Sequence, residues 1–212
     1  MISYHHHYET DEDYSYDSNG NRTNTGYATD PYNRLTSDGT FRYEYDAEGN
    51  RTLRFDDDGD DVLDSGDTDI TGYTWDHRNR LASVEHFDTY ADYYADSPDK
   101  VVEYAYDSMD QLLRRREDTD GNGSVDEVAK YVYDGGRLAL EFDSEDELTH
   151  RYLCNEAIDQ VLADEPAVGD LLWALSDHEG TVRDLIDSDR NIDGHRNFDA
   201  FEKEKGTSLI SR

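Results

Sequence analysis

The pattern aromatic-x-aromatic-Asp occurs five times, as Tyr14-x-Tyr16-Asp17, Tyr43-x-Tyr45-Asp46, Tyr73-x-Trp75-Asp76, Tyr104-x-Tyr106-Asp107 and Tyr131-x-Tyr133-Asp134. Its aspartates stand 29, 30, 31 and 27 residues apart. A period held this closely constrains the chain more than any other feature, because a repeat of about 30 residues is one supersecondary unit packed on copies of itself. Side chains two apart share one face of a β-strand, so each aromatic pair marks a strand. The Asp then opens a turn by accepting backbone N–H bonds, and a Gly three residues later supplies the positive φ that closes it. Asp17 with Gly20 and Asp46 with Gly49 follow this rule. After Asp76 and Asp107 the same place holds Asn79 and Asp110, which enter the left-handed region less readily than Gly. Asp134 runs directly into Gly135-Gly136 and predicts a shorter or shifted turn. Return strands begin at Asn21-Arg22-Thr23, Asn50-Arg51-Thr52, Asn79-Arg80-Leu81 and Gly136-Arg137-Leu138, and Trp173-x-Leu175 before Asp177 reads as a degraded sixth copy. The expected fold is all-β: an antiparallel β-hairpin repeat array over residues 14–200. Tyr43, Tyr45, Tyr73, Trp75, Tyr104, Tyr106, Tyr131 and Tyr133 are expected on its packed face.

Tyr-Asp-x-x-Gly-Asn-Arg-Thr at this spacing resembles the YD repeats of bacterial RHS proteins, of insecticidal toxin-complex subunits and of the teneurin shell. The later stretches Arg151-Tyr152-Leu153, Ile158–Leu162 and Trp173–Arg183 are similar to the segment that precedes the RHS core. The resemblance implies one long sheet spiralling into a hollow shell, and it makes the chain a structural scaffold for encapsulation or surface display, without catalysis of its own. It also implies a secreted or cell-surface bacterial setting, with the rest of a larger shell, other surface proteins or glycans as partners. Phe198-Asp199-Ala200-Phe201-Glu202 matches only loosely the stretch that leads into the RHS core, and the chain ends at Arg212, so a partial shell truncated before that core is expected. The expected organisation is a disordered segment 1–13, YD hairpins 14–140, pre-core strands 141–200 and a tail 201–212.

Composition narrows the function classes. With 52 acidic residues against 20 basic ones the formal charge is -32, and mean hydropathy is -1.03, values that would suit a disordered chain. Seventeen tyrosines oppose that reading, since Tyr buries a ring while its hydroxyl keeps a polar partner. The charge repels nucleic acid and anionic membranes. The lone Cys154 excludes an internal disulfide and any multi-cysteine zinc site, and no apolar run is long enough to span a bilayer as a helix. The first residues lack the basic and apolar parts of a signal peptide.

Two acidic insertions carry the only site chemistry, with Ca²⁺ as the expected cofactor. Asp118, Asp120, Asn122, Ser124 and Asp126 place oxygen ligands at alternate positions, the spacing by which one tight loop surrounds Ca²⁺. Gly123 falls at the sharp bend of such a loop and Val125 at its apolar anchor, but the twelfth position, usually a bidentate acid, is Ala129. The second insertion offers Asp56, Asp58, Asp60, Asp64 and Asp67, with Asp61 where the bend favours Gly. Acidic hairpin tips that discourage edge pairing are the plainer reading of both. A calcium-stiffened adhesion or carbohydrate-binding surface is the alternative function.

Other candidates are weaker. His5-His6-His7 lacks fixed partners, and Asp177-His178 lacks a nucleophile-elbow serine. Asn21, Asn50 and Asn122 satisfy the glycosylation pattern but coincide with turns. Ile158, Val161 and Leu162 have helical spacing, yet the resemblance makes Ile158–Leu162 a strand. Thr89 to Lys100, with Tyr90, Tyr93 and Tyr94, stays open between loop and helical turn.

Overall fold

The computed structural model describes residues 13–155, 160–177, 180–198 and 204–208. His5-His6-His7, Ile158, His178 and the Asp199–Glu202 part of the pre-core stretch lie outside the described residues. Two compact units divide the chain, 1–101 and 102–212. The first holds β1 (Tyr27–Thr29), β2 (Leu35–Asp38), β3 (Phe41–Tyr45), β4 (Arg51–Asp56), β5 (Thr68–Trp75), β6 (Leu81–Thr89) and a short helix, α1 (Tyr90–Tyr94). In the second, β7 (Lys100–Tyr106), which starts at the boundary, precedes β8 (Leu112–Asp118), β9 (Glu127–Asp134), β10 (Arg137–Phe142), β11 (Leu148–Cys154) and β12 (Val161–Pro166). β13 (Leu172–Ser176), β14 (Val182–Ile186), β15 (Ile192–Phe198) and β16 (Glu204–Ser208) complete it, the last lying where the sequence suggests a tail. Within each unit every strand neighbours the ones before and after it in sequence, so the all-β hairpin array stands. Val161 and Leu162 open strand β12, as expected over helix.

The turns explain the repeat. At Asp17, Asp30, Asp46, Asp76, Asp107, Asp143, Asp177 and Asp187 the backbone N–H donates to the carbonyl four residues on, at 2.9 to 3.0 Å. In all eight, the carboxylate Oδ1 accepts the backbone N–H of that same fourth residue, at 2.8 to 3.1 Å. The residue between has positive φ: Gly20, Asn33, Gly49, Asn79, Asp110, Asp146, Gly180 and Arg190, from 58° to 93°. This is a type I turn closed by a left-handed residue, the usual three-residue hairpin connection. Asn79 and Asp110 therefore accept the left-handed conformation without Gly, because the aspartate's hydrogen bonds offset a strain of about 1 kcal/mol. Asp134 pairs directly with Arg137 across Gly135 (φ 59°) and Gly136 (φ 87°), the shorter turn expected there.

In a meander of this kind alternate connections lie at opposite ends of the strands. In the first unit the Asp30, Asp46 and Asp76 turns occupy one rim, and the connection at Asp38, the acidic segment 57–67 and α1 occupy the other. The second unit repeats the arrangement, with Asp107, Asp134 and Asp177 turns opposite the acidic segment 119–126 and the Asp143 and Asp187 turns.

One expectation needs correction. Directly paired residues share a face, which groups Tyr43 with Arg54, Thr71 and Tyr73 on one side, and Leu53 with Gly72, Ile70 and Phe87 on the other. The buried cluster is Leu53, Phe55, Ile70 and Phe87, opposite Tyr43, Tyr45, Tyr73 and Trp75, which are only half-buried. Insertions decide the matter. Leu63 from the acidic segment and Tyr90 and Tyr93 from α1 pack over the cluster, with Tyr93 edge-on to Phe87 at 5.3 Å between ring centres. Thr89 caps α1 by accepting the Asp92 N–H, so the ambiguous insertion is a helical turn that roofs the core.

Candidate functional site

Three of the motif aromatics are committed to the neighbouring strand. Tyr45 donates its hydroxyl to the Leu35 carbonyl at 2.7 Å, Trp75 its Nε1–H to the Arg51 carbonyl at 2.7 Å, and Tyr133 its hydroxyl to the Leu112 carbonyl at 3.0 Å. Leu35, Arg51 and Leu112 each stand five residues after a turn-opening aspartate, so one contact recurs three times. Cys154 repeats it with sulfur: its thiol lies 3.3 Å from the Leu138 carbonyl, and the Tyr152-Leu153-Cys154-Asn155 run occupies the motif position. The cysteine is thus a substituted motif aromatic, a role that sequence reading missed. Tyr106 is half-buried, whereas Tyr16 is 51% exposed. The arginines after the turns stack on nearby tyrosine rings, Arg22 over Tyr27 at 4.2 Å, Arg34 over Tyr45 at 4.9 Å and Arg51 over Tyr43 at 4.2 Å. Asparagines join consecutive turns, Asn50 donating to Asn79 at 3.1 Å and Asn21 to Asn33 at 2.9 Å.

The turn carboxylates of Asp17, Asp46 and Asp76 are held as anions. Hydrogen bonds from the Asn21 side chain and backbone keep Asp17 below the ordinary carboxylate range, and the Arg80 guanidinium and backbone hold Asp76 lower still. At Asp46 burial works the other way but is outweighed by the side chain and backbone of Asn50. Burial, reinforced by the Asp38 carboxylate, raises the Tyr43 phenol, whose hydroxyl donates to that carboxylate at 2.7 Å.

The acidic segments form two carboxylate clusters. At the β8–β9 connection Asp118, Asp120 and Asp126 each bring an oxygen within 4.8 Å of the others. Asp118 is buried, at 6% exposure: its Oδ2 accepts the Gly123 N–H at 2.7 Å, and its Oδ1 is buried without a hydrogen-bond donor. Asp126 Oδ2 accepts from the Thr119 hydroxyl at 2.7 Å and the Thr119 N–H at 2.8 Å, which lowers its pKa. Asn122 Oδ1 accepts the Ser124 N–H at 2.8 Å, and Ser124 is exposed. Gly123 has φ 84°, the sharp bend expected, whereas Val125 is 37% exposed rather than an apolar anchor. Ala129 lies inside β9, paired with Arg115.

The other cluster joins Asp57, Asp58 and Asp60, with Asp57 in the place expected of Asp56. Asp56 ends β4 opposite Thr68. Asp64 accepts the Gly66 N–H at 2.8 Å, and Asp61 sits in the left-handed region (φ 70°), paired with Arg42. The deepest carboxylate, Asp67, is 1% exposed, but both of its oxygens are taken, Oδ1 by the Asp58 N–H at 3.1 Å and Oδ2 by the Asp64 N–H at 2.7 Å. Burial and then the charges of Asp60, Asp64, Asp67 and Asp57 raise the pKa of Asp58.

Among solved structures the chain is similar to the TcdB2–TccC3–Cdc42 complex, with 14% identity and a TM-score of 0.48 over 93% of this chain and 12% of that one. It is also similar to the Photorhabdus luminescens Tc holotoxin pore, with 12% identity and a TM-score of 0.32 over 93% of this chain and 15% of that one. The TcdB2–TccC3 complex gives the same identity, coverage and score as the pore. The chain thus spans 12% to 15% of the length of these matched chains. No family model and no curated protein matches it.

Proposed function

We propose that the chain is a segment of a YD-repeat β-sheet scaffold, a wall-forming part of a secreted or cell-surface bacterial protein, with no catalysis of its own. The observation that carries this reading is where the motif residues spend their chemistry. Tyr45, Trp75 and Tyr133 donate to a neighbouring strand's backbone, and the turn aspartates bind their own turn. The repeated residues therefore hold repeat to repeat instead of converging on a common point. Such an array extends by nearest-neighbour contacts, as other repeat proteins do. Further strands of a larger sheet are the partners it fits, because β1 and β16 each pair on one side only among the described residues. Encapsulation is the role that the YD resemblance adds.

Deletion of one whole repeat tests this. Removing residues 107–133 joins Tyr106 to Asp134 and restores the Tyr-Asp junction with 27 residues fewer. A modular scaffold keeps a β-type circular dichroism spectrum and a cooperative melt after this deletion. Loss of all cooperative structure, alongside an intact wild type, would overturn the reading in favour of a single indivisible domain.

A further inference from the structure

We propose that the tip of the β8–β9 hairpin is a Ca²⁺ site, with Asp118, Asp120 and Asp126 as its charged ligands and the side-chain oxygen of Asn122 as a fourth. Three carboxylates within 4.8 Å repel one another, and that alone would describe many acidic surfaces. Asp118 separates this loop from the rest. It is more than nine-tenths buried, and its Oδ1 has no donor, although buried polar atoms are almost always satisfied. A carboxylate oxygen left in this state beside two further carboxylates is completed by a cation.

The loop is shaped to present these groups before any ion arrives. Gly123 N–H fixes Asp118 through Oδ2, and Thr119 fixes Asp126 through Oδ2 with both its hydroxyl and its N–H. Asn122 is held at the bend by the Ser124 N–H. All the ligand atoms are hard oxygens, and neither His nor Cys joins the cluster, which favours Ca²⁺ or Mg²⁺ over transition metals. Ca²⁺ accepts irregular arrangements of several oxygens, which suits this ligand set better than the strict octahedron that Mg²⁺ demands. With only three charged ligands and no bidentate acid at the twelfth position, affinity belongs to the extracellular class, a Kd of roughly 0.1 to 1 mM. The Asp57, Asp58 and Asp60 cluster lacks the equivalent feature, since both oxygens of its buried neighbour Asp67 already accept N–H bonds. Because Asp118 ends β8 and Asp126 immediately precedes β9, a bound ion would brace the two strands at the end where the connection joins them.

Calorimetric titration of Ca²⁺ into the full chain at about 0.15 M salt, where diffuse charge is screened, tests the site. Wild type should show one saturable event in the stated range, with Mg²⁺ weaker. Asp118→Asn and Asp120→Asn should each weaken it tenfold or more, whereas Asp58→Asn should leave it unchanged. Asp120 is exposed, so its variant decides the matter if Asp118→Asn fails to fold. Absence of saturable binding by folded wild type up to about 10 mM, ten times the weakest expected Kd, overturns the proposal. So does binding that survives Asp120→Asn or is lost in Asp58→Asn.

Discussion

A tyrosine hydroxyl and an indole N–H do the same work at Tyr45 and Trp75, and at Cys154 a thiol takes their place. What the position requires is a donor that reaches the backbone of the next strand, with an apolar body behind it. Removing the donor while keeping the body isolates its contribution. Tyr45→Phe leaves the Leu35 carbonyl without its side-chain partner and should cost about 1 to 2 kcal/mol, read from urea unfolding. Tyr94→Phe, at an 81% exposed ring, should stay within about 0.5 kcal/mol. Equal effects at the two positions would mean that the shared hydrogen bond is incidental. The turn at Asp30 shows why a residue-level reading stops short. Asp30-Pro31-Tyr32-Asn33-Arg34-Leu35 has the same form as Asp76-His77-Arg78-Asn79-Arg80-Leu81, yet Thr29 stands where an aromatic marks the other copies. The aspartate and the left-handed residue three places on define the turn, and the rings only accompany it.

At the level of elements, strands and connections were legible because period-two aromatics and turn residues are local signals. The buried face was not. Strands β4 and β5 carry large side chains on both sides, and alternation cannot say which side another segment will cover. That was decided by α1 and Leu63, an insertion too short to be read as a helix and a leucine inside an acidic run. The acidic loops were legible in composition and in most of their ligands, but the exchange of Asp57 for Asp56 depends on where β4 ends. If α1 and Leu63 seal the core, Phe87→Ala should cost about 3 to 5 kcal/mol, since it empties a site that is 2% exposed. Val132→Ala on β9, at 45% exposure, should cost under about 1 kcal/mol. Chemical denaturation of the two variants compares them directly, and a small loss at Phe87 would show that the cluster is not the first unit's core.

For the molecule as a whole, charge opposes association at open strand edges. A formal charge of -32 keeps copies apart at low ionic strength, but the screening length shrinks to about 8 Å at 0.15 M salt and lets one-sided strands such as β1 and β16 approach another copy. Sedimentation should therefore show heavier species as salt rises. An interface held by ion pairs would respond in the opposite sense, and a monomer at every salt concentration would mean that the edges are blunted by other means.

Each of these four donors finds its backbone acceptor earlier in the chain: Leu35 before Tyr45, Arg51 before Trp75, Leu112 before Tyr133 and Leu138 before Cys154. On a ribosome, each new donor would emerge after its acceptor, so a repeat can latch onto the one just made without waiting for later sequence. Neighbour-only pairing also keeps contact order low, which favours rapid folding. The direction of a few hydrogen bonds thus gives the sheet an order of assembly that runs with its synthesis.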